Sequence, residues 1–167
     1  MIGPALHEAA NCGAPVIGLI VLDDQSHALK RPAARPLGGA ARWWLAQSLR
    51  ALQVSLGAAG APLVLRKGPA ARVIGEVARE AGARAVFWNE IAQAPDQAVA
   101  SEVEAALGSS SICSQIFPGD LLAAPASIRN KDNRGLRVFT PFWRRVQSLG
   151  DPPKPLPSPK KIAAGRT

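Results

Sequence analysis

A chain of 167 residues and 17.4 kDa is sized for one domain with a substantial core and is too short for a second domain of ordinary size. With 47% apolar and 19% charged residues, its composition is globular and excludes disordered, collagen-like and coiled-coil classes. The net charge of +8 is local: from Arg129 onward ten basic residues face only Asp132 and Asp151, and the preceding segment balances at zero. A solvated tail and a phosphate-attracting surface both explain such a block.

The longest apolar run, Val16 to Leu22, contains Gly18 and is far short of the ~20 residues a membrane helix needs. Met1-Ile2-Gly3-Pro4 lacks the basic and apolar regions of a secretory signal, so a cytoplasmic protein without a membrane partner is expected.

In chain order, Pro4 to Ala10 reads as a short helix with no strand before it. Pro15 to Leu22, closed by Asp23-Asp24, has the continuous apolar character of a strand buried on both faces of a parallel sheet. Arg42 to Leu56 places Trp44, Leu45, Leu49, Leu52 and Leu56 at helical steps, with Gly57 and Gly60 as stops. Neighbouring helical residues lie about 100° apart, so one of Trp43 and Trp44 is expected in the core and the other at a rim. Strands are predicted at 62–66 and 83–88 and, more weakly, at 111–117. Helices are predicted at 69–81, 96–107 and 140–149. This alternation predicts an α/β three-layer sandwich on a parallel sheet with right-handed crossovers. Residues 1–149 form the expected α/β domain. Residues 150–167 form a basic linker or tail, extended because five prolines fall within Asp151 to Lys161.

No GxGxxG, phosphate loop, GxSxG elbow or paired-histidine motif occurs, so no catalytic residue and no metal ligand is nominated. His7 and His27 read as helix-surface or loop residues. Cys12 and Cys113 read as small buried or half-buried thiols. Asp23-Asp24 and Asn89-Glu90 end predicted parallel strands, on the rim where open α/β sheets hold ligands; a plain polar cap explains them equally well. Gly38 to Arg42 precedes a helix and offers backbone N–H groups and one cation, or simply a helix-start turn.

Six segments taken together carry a resemblance: Pro4 to Ala9 with Val16 to Asp24, Gly39 to Leu45 with Ser48, Leu49 and Leu52, Leu63 to Gly68, Val86 to Asn89, and Val138 to Trp143. In that order they resemble the N-terminal domain of DNA photolyases and cryptochromes, across essentially the whole chain. The resemblance implies a Rossmann-like domain that carries an antenna chromophore of deazaflavin, folate or flavin type. It places antenna contacts at Leu22, Asp23, Arg42 and Asn89, with the segment after Asn89 closing one side. The family's folate-type Asn-Glu pair has no match, since Pro95-Asp96 stands there. In the family FAD, the damaged pyrimidine dimer and electron transfer belong to a larger helical domain beyond the linker.

The family's opening W-F-R-x-D-L-R strand has no counterpart, and Asn89 to Pro95 replaces the usual N-R-D-Y-E-P. The resemblance therefore implies an antenna domain truncated at both ends, deoxyribodipyrimidine photo-lyase by descent and inactive alone. Its FAD domain or another subunit would be the partner, with weak DNA contact through the basic C-terminal segment. A free-standing α/β nucleotide- or flavin-binding module and a basic nucleic-acid-binding protein remain alternatives. By the family's strand order, the strand at 16–22 and the one at 86–88 either pair directly or both leave backbone edges open. In the second case the chain should be marginally stable, aggregation-prone or partner-dependent.

Overall fold

A computed structural model describes residues 3–23, 37–119, 121–152 and 154–165. The elements run α1 (Pro4–Asn11), β1 (Gly18–Leu22), α2 (Gly39–Ala59), β2 (Leu63–Lys67), α3 (Ala70–Glu80), β3 (Ala85–Asn89), α4 (Ala94–Gly108), β4 (Cys113–Phe117) and α5 (Phe139–Gln147). This is the α/β order expected from the sequence, with element ends displaced by a few residues. Asp24 and His27 lie outside the described residues.

The strands form two parallel pairs, β1 with β2 and β3 with β4; among the described residues β1 and β3 do not pair. Of the two outcomes left open by the sequence, direct pairing of these two strands is not found among the described residues. The pairs are neighbours because α3 packs on β1 and on α4 and leads into β3, while α1 packs on β3 and β4 and leads into β1. Each of these two helices therefore spans both halves of the sheet. Two apolar clusters result. Ala78, Val103, Leu107 and Ile112 pack with Val86 and Trp88, and Leu56, Ala61 and Ile162 pack with Leu6, Val16 and Leu63.

Three expectations need correction. Trp43 and Trp44 are 62% and 69% exposed, so neither is core. Among the described residues α2 packs on β2, and its one fully buried residue, Leu56, lies in its last turns, far from both tryptophans. Cys12 and Cys113 are exposed thiols rather than buried ones, Cys12 just beyond the end of α1 and Cys113 at the start of β4. His7 is half-buried on α1, with its Nδ1 buried and without a hydrogen-bond partner among the described residues.

The Pro-rich segment runs extended, but its far end is anchored. Ile162 is 4% exposed; its N–H donates to the Ala59 carbonyl at 2.7 Å, and Val16 N–H donates to the Ala163 carbonyl at 2.8 Å. Val16 and Ala164 form a parallel bridge that prolongs the β1 ladder. Gly60 permits this approach. Its φ of +99° closes α2 in the left-handed conformation, and a Cβ there would stand 2.5 Å from the Ile162 carbonyl oxygen. Replacing Ile162 by Ala should therefore lower the urea-unfolding free energy by about 2–4 kcal/mol, as for a core isoleucine. A change under about 0.5 kcal/mol would identify residues 154–165 as an unattached linker.

Candidate functional site at the carboxyl rim of the strands

Leu22, Asp23 and Asn89 sit at the carboxyl ends of β1 and β3. Arg42 lies in the first turn of α2, the helix that returns from this rim to the start of β2. Topology thus brings all four sequence-nominated residues to one rim. No direct hydrogen bond or ion pair joins them to one another among the described residues.

Asp23 and Asn89 have well-defined local tasks. The residue preceding α3 is Pro69, which has no side-chain acceptor for the helix's first N–H groups. Asp23 supplies one from the next strand: its Oδ2 accepts from Ala70 N–H at 2.8 Å. Gly3 precedes α1 and likewise offers no side chain. Asn89 Oδ1 accepts from Ala5 N–H at 3.0 Å. A side chain at Gly3 would collide with the Asn89 carboxamide, so glycine is required for this contact. Each strand-ending polar residue therefore acts as an N-cap from a distance, and the Asp23 carboxylate also meets the positive end of the α3 dipole.

The other two nominated residues are turned to solvent. Leu22 is 38% exposed, and its carbonyl accepts from Gly68 N–H at 3.1 Å. Arg42 is exposed, with its own N–H bonded to the Gly38 carbonyl at 3.0 Å and no side-chain partner among the described residues. The rim therefore presents a guanidinium and an aliphatic side chain beside two helix N-termini, a combination that can fix a polar or anionic edge of a planar ligand.

Next to Asn89 lies an open recess of about 480 Å³, lined by Trp88, Ile91, Ile116 and Phe117 together with the polar Glu90, Gln97, Ser101 and Glu104. Its volume falls in the range of small-molecule sites. Sequence reasoning reached only its edge, through Asn89 and the segment after it. The remaining walls come from β4 and α4, which join at this point only through the fold.

An open parallel α/β domain with a polar carboxyl rim is the class these features define. The family profile of DNA photolyase matches residues 3–160, and the chain belongs to that family. It is 35% identical over 160 residues to the deoxyribodipyrimidine photo-lyase of Agrobacterium fabrum, covering 96% of this chain and 32% of that protein. It is 30% identical to cryptochrome-1 of Arabidopsis thaliana, over 97% of this chain and 23% of that protein. Among solved structures, a class III photolyase from Agrobacterium tumefaciens superposes with TM-score 0.84 at 34% identity, over 99% of this chain and 33% of that one. A Synechocystis cryptochrome shares the fold, with TM-score 0.83 at 19% identity. The chain thus spans about a third or less of the length of these relatives and matches their N-terminal portion. Membership associates the chain with flavin and related chromophores at the level of the family.

If the rim caps hold the fold as described, Asp23→Ala and Asn89→Ala will each cost about 0.5–2 kcal/mol in urea unfolding. Asp23→Asn and Asn89→Asp, which keep an acceptor oxygen, will cost less than half as much. Equal losses in the Ala and isosteric variants would contradict the capping assignment.

Proposed function

We propose that this chain is the antenna-chromophore domain of a photolyase- or cryptochrome-type protein, related to light-dependent DNA repair, and that these 167 residues do not repair DNA by themselves. The observation that carries the reading is the match of residues 3–160 to the family, combined with a carboxyl rim bearing Leu22, Asp23, Arg42 and Asn89. The chemistry of the rim suits a planar chromophore. Arg42 would pair with a polar or anionic edge, Leu22 and the apolar side chains of the recess beside Asn89 would hold the ring, and the caps at Asp23 and Asn89 would keep the walls in place. When bound, the chromophore supplies light absorption; FAD and repair chemistry belong, by family resemblance, to the length of the relatives that this chain does not span.

The test is reconstitution of the purified chain with a deazaflavin, a folate or a flavin, followed by gel filtration and absorbance in the near-ultraviolet and blue. A comigrating chromophore is expected, and Arg42→Ala should weaken its retention about tenfold, the worth of one charge-assisted contact. No comigrating absorbance with any of the three would overturn the antenna reading. Dimer-containing DNA should remain unrepaired in the light even with FAD added.

A second reading concerns DNA, and a specific surface favours it. Phe139 and Trp143 stack with ring centroids 6.3 Å apart on α5, exposed at 72% and 47%, and Arg134, Arg137 and Arg144 lie exposed on either side in sequence. Aromatic faces beside guanidinium groups are the usual components of nucleic-acid surfaces. Changing Arg134, Arg137 and Arg144 together to Gln should flatten the dependence of log affinity for DNA on log salt by about three. An unchanged slope would remove this segment from any DNA contact.

A further inference from the structure

We propose that Glu90 and Glu104 make the recess beside Asn89 selective by charge: its ligand is an uncharged planar ring system carrying hydroxyl or amino donors, and phosphate- or carboxylate-bearing molecules are disfavoured. The inference rests on the antenna reading of the rim and adds the chemical class of the ligand. Two walls form the recess. Trp88 and Ile116 are register partners across β3 and β4, so their side chains lie on one side of that strand pair. It is the side on which Trp88 packs against the cluster containing Val103 and Leu107 of α4. From α4 come Gln97, Ala100, Ser101 and Glu104, whose steps of three and four residues place them on one helical face. Glu90, the residue after β3, stands at the carboxyl end of the strands.

The polar groups of this lining are mostly acceptors. None of the lining residues is Lys, Arg or His. The Glu90 N–H is spent on the Phe117 carbonyl at 2.8 Å, and the Gln97 N–H on the Gln93 carbonyl at 3.0 Å. Pro118 has no N–H, and Ala100, Ser101 and Glu104 lie inside α4, where the backbone donors belong to the helix. The Ser101 hydroxyl donates to the Gln97 carbonyl at 3.1 Å and leaves only its lone pairs for a ligand. The Glu90 and Glu104 carboxylates have no hydrogen bond or ion pair among the described residues, so their acceptor oxygens are open.

An anionic group entering this recess meets two like charges with no cation in the lining to answer them, whereas amino, hydroxyl or ring N–H groups find acceptors in place. Trp88, Ile91 and Ile116 supply apolar contact for the ring itself. The exposed guanidinium of Arg42 is a donor and suits a carbonyl edge of the same class of molecule. The rest of the chain works against this selection, because its net charge of +8 draws anions of every kind toward the protein. A preference for the uncharged ligand is therefore a signature of the recess and not of the chain as a whole.

Riboflavin and riboflavin 5′-phosphate share one ring and differ by the phosphate, and their 5-deaza analogues form a second such pair. Each is titrated into the full chain at about 0.15 M salt, where distant charges are screened, with ligand fluorescence as the readout. Riboflavin should bind about fivefold more tightly than its phosphate, the effect of two exposed like-charge contacts. Glu90→Gln combined with Glu104→Gln should bring the ratio within about twofold by tightening the phosphate form. Glu102→Gln, at an exposed position on the opposite face of α4, should leave the ratio unchanged. Equal or tighter binding of the phosphate, a ratio unmoved by the double substitution, or one moved equally by Glu102→Gln would each overturn the charge selection and leave the antenna reading standing. Retention of a folate, with its glutamyl carboxylates, in place of the flavins would do the same. Binding of none of these molecules would overturn both.

Discussion

Two long-range helix caps hold this domain together. Asp23, at the end of β1, satisfies the start of α3, and Asn89, at the end of β3, satisfies the start of α1. Each helix is thereby fastened at its first turn to one half-sheet, and it continues in sequence into the other half. Because β1 and β3 exchange no backbone bonds, relative placement of the halves depends on these caps and on the two apolar clusters beneath the helices. In a sheet with a continuous ladder such caps would be minor, worth about 1 kcal/mol each. Here they carry alignment that ladder hydrogen bonds would otherwise provide.

The same arrangement shapes the rim. Parallel strands put Leu22, Asp23 and Asn89 at one end of the molecule, and the return of α2 puts Arg42 there as well. Because the Asp23 and Asn89 oxygens are spent on helix N-termini, they pre-position the walls of the rim. The exposed guanidinium of Arg42 and the recess beside Asn89 are the parts turned outward. Anchoring and recognition are thus divided between neighbouring residues, so a variant at Asp23 would test the scaffold and one at Arg42 the ligand.

Much of this architecture is written locally. The runs VIGLIVL and AVFW announce strands, the glycines after Ala59, Ala81 and Leu107 announce helix ends, and alternation of the two gives the α/β class and parallel direction. What periodicity cannot report is whether a strand has neighbours on both sides. The β1 sequence reads as fully buried, yet Gly18 to Val21 are half-buried and Leu22 is exposed, and β2 is the strand that β1 pairs with among the described residues. Trp43 and Trp44, read as a core-and-rim pair, are both exposed, because the buried contact of α2 falls on Leu56 in its last turns. The caps were illegible because each joins residues 47 or 84 positions apart, and Ile162 was hidden as a single apolar residue in a Pro-rich, Lys-rich stretch. At the site, the rim positions were legible from strand ends, while the recess needed β4 and α4 folded alongside.

Residue-resolved amide exchange on the chain at low concentration examines the divided sheet most directly. The account predicts alternation along both inner strands: slow exchange at Ile20, Val86 and Trp88, and fast exchange at Leu19, Val21 and Phe87. Uniformly slow exchange through 18–22 and 85–89, with contacts between the two strands in the accompanying NMR spectra, would mean that β1 and β3 pair and would contradict it.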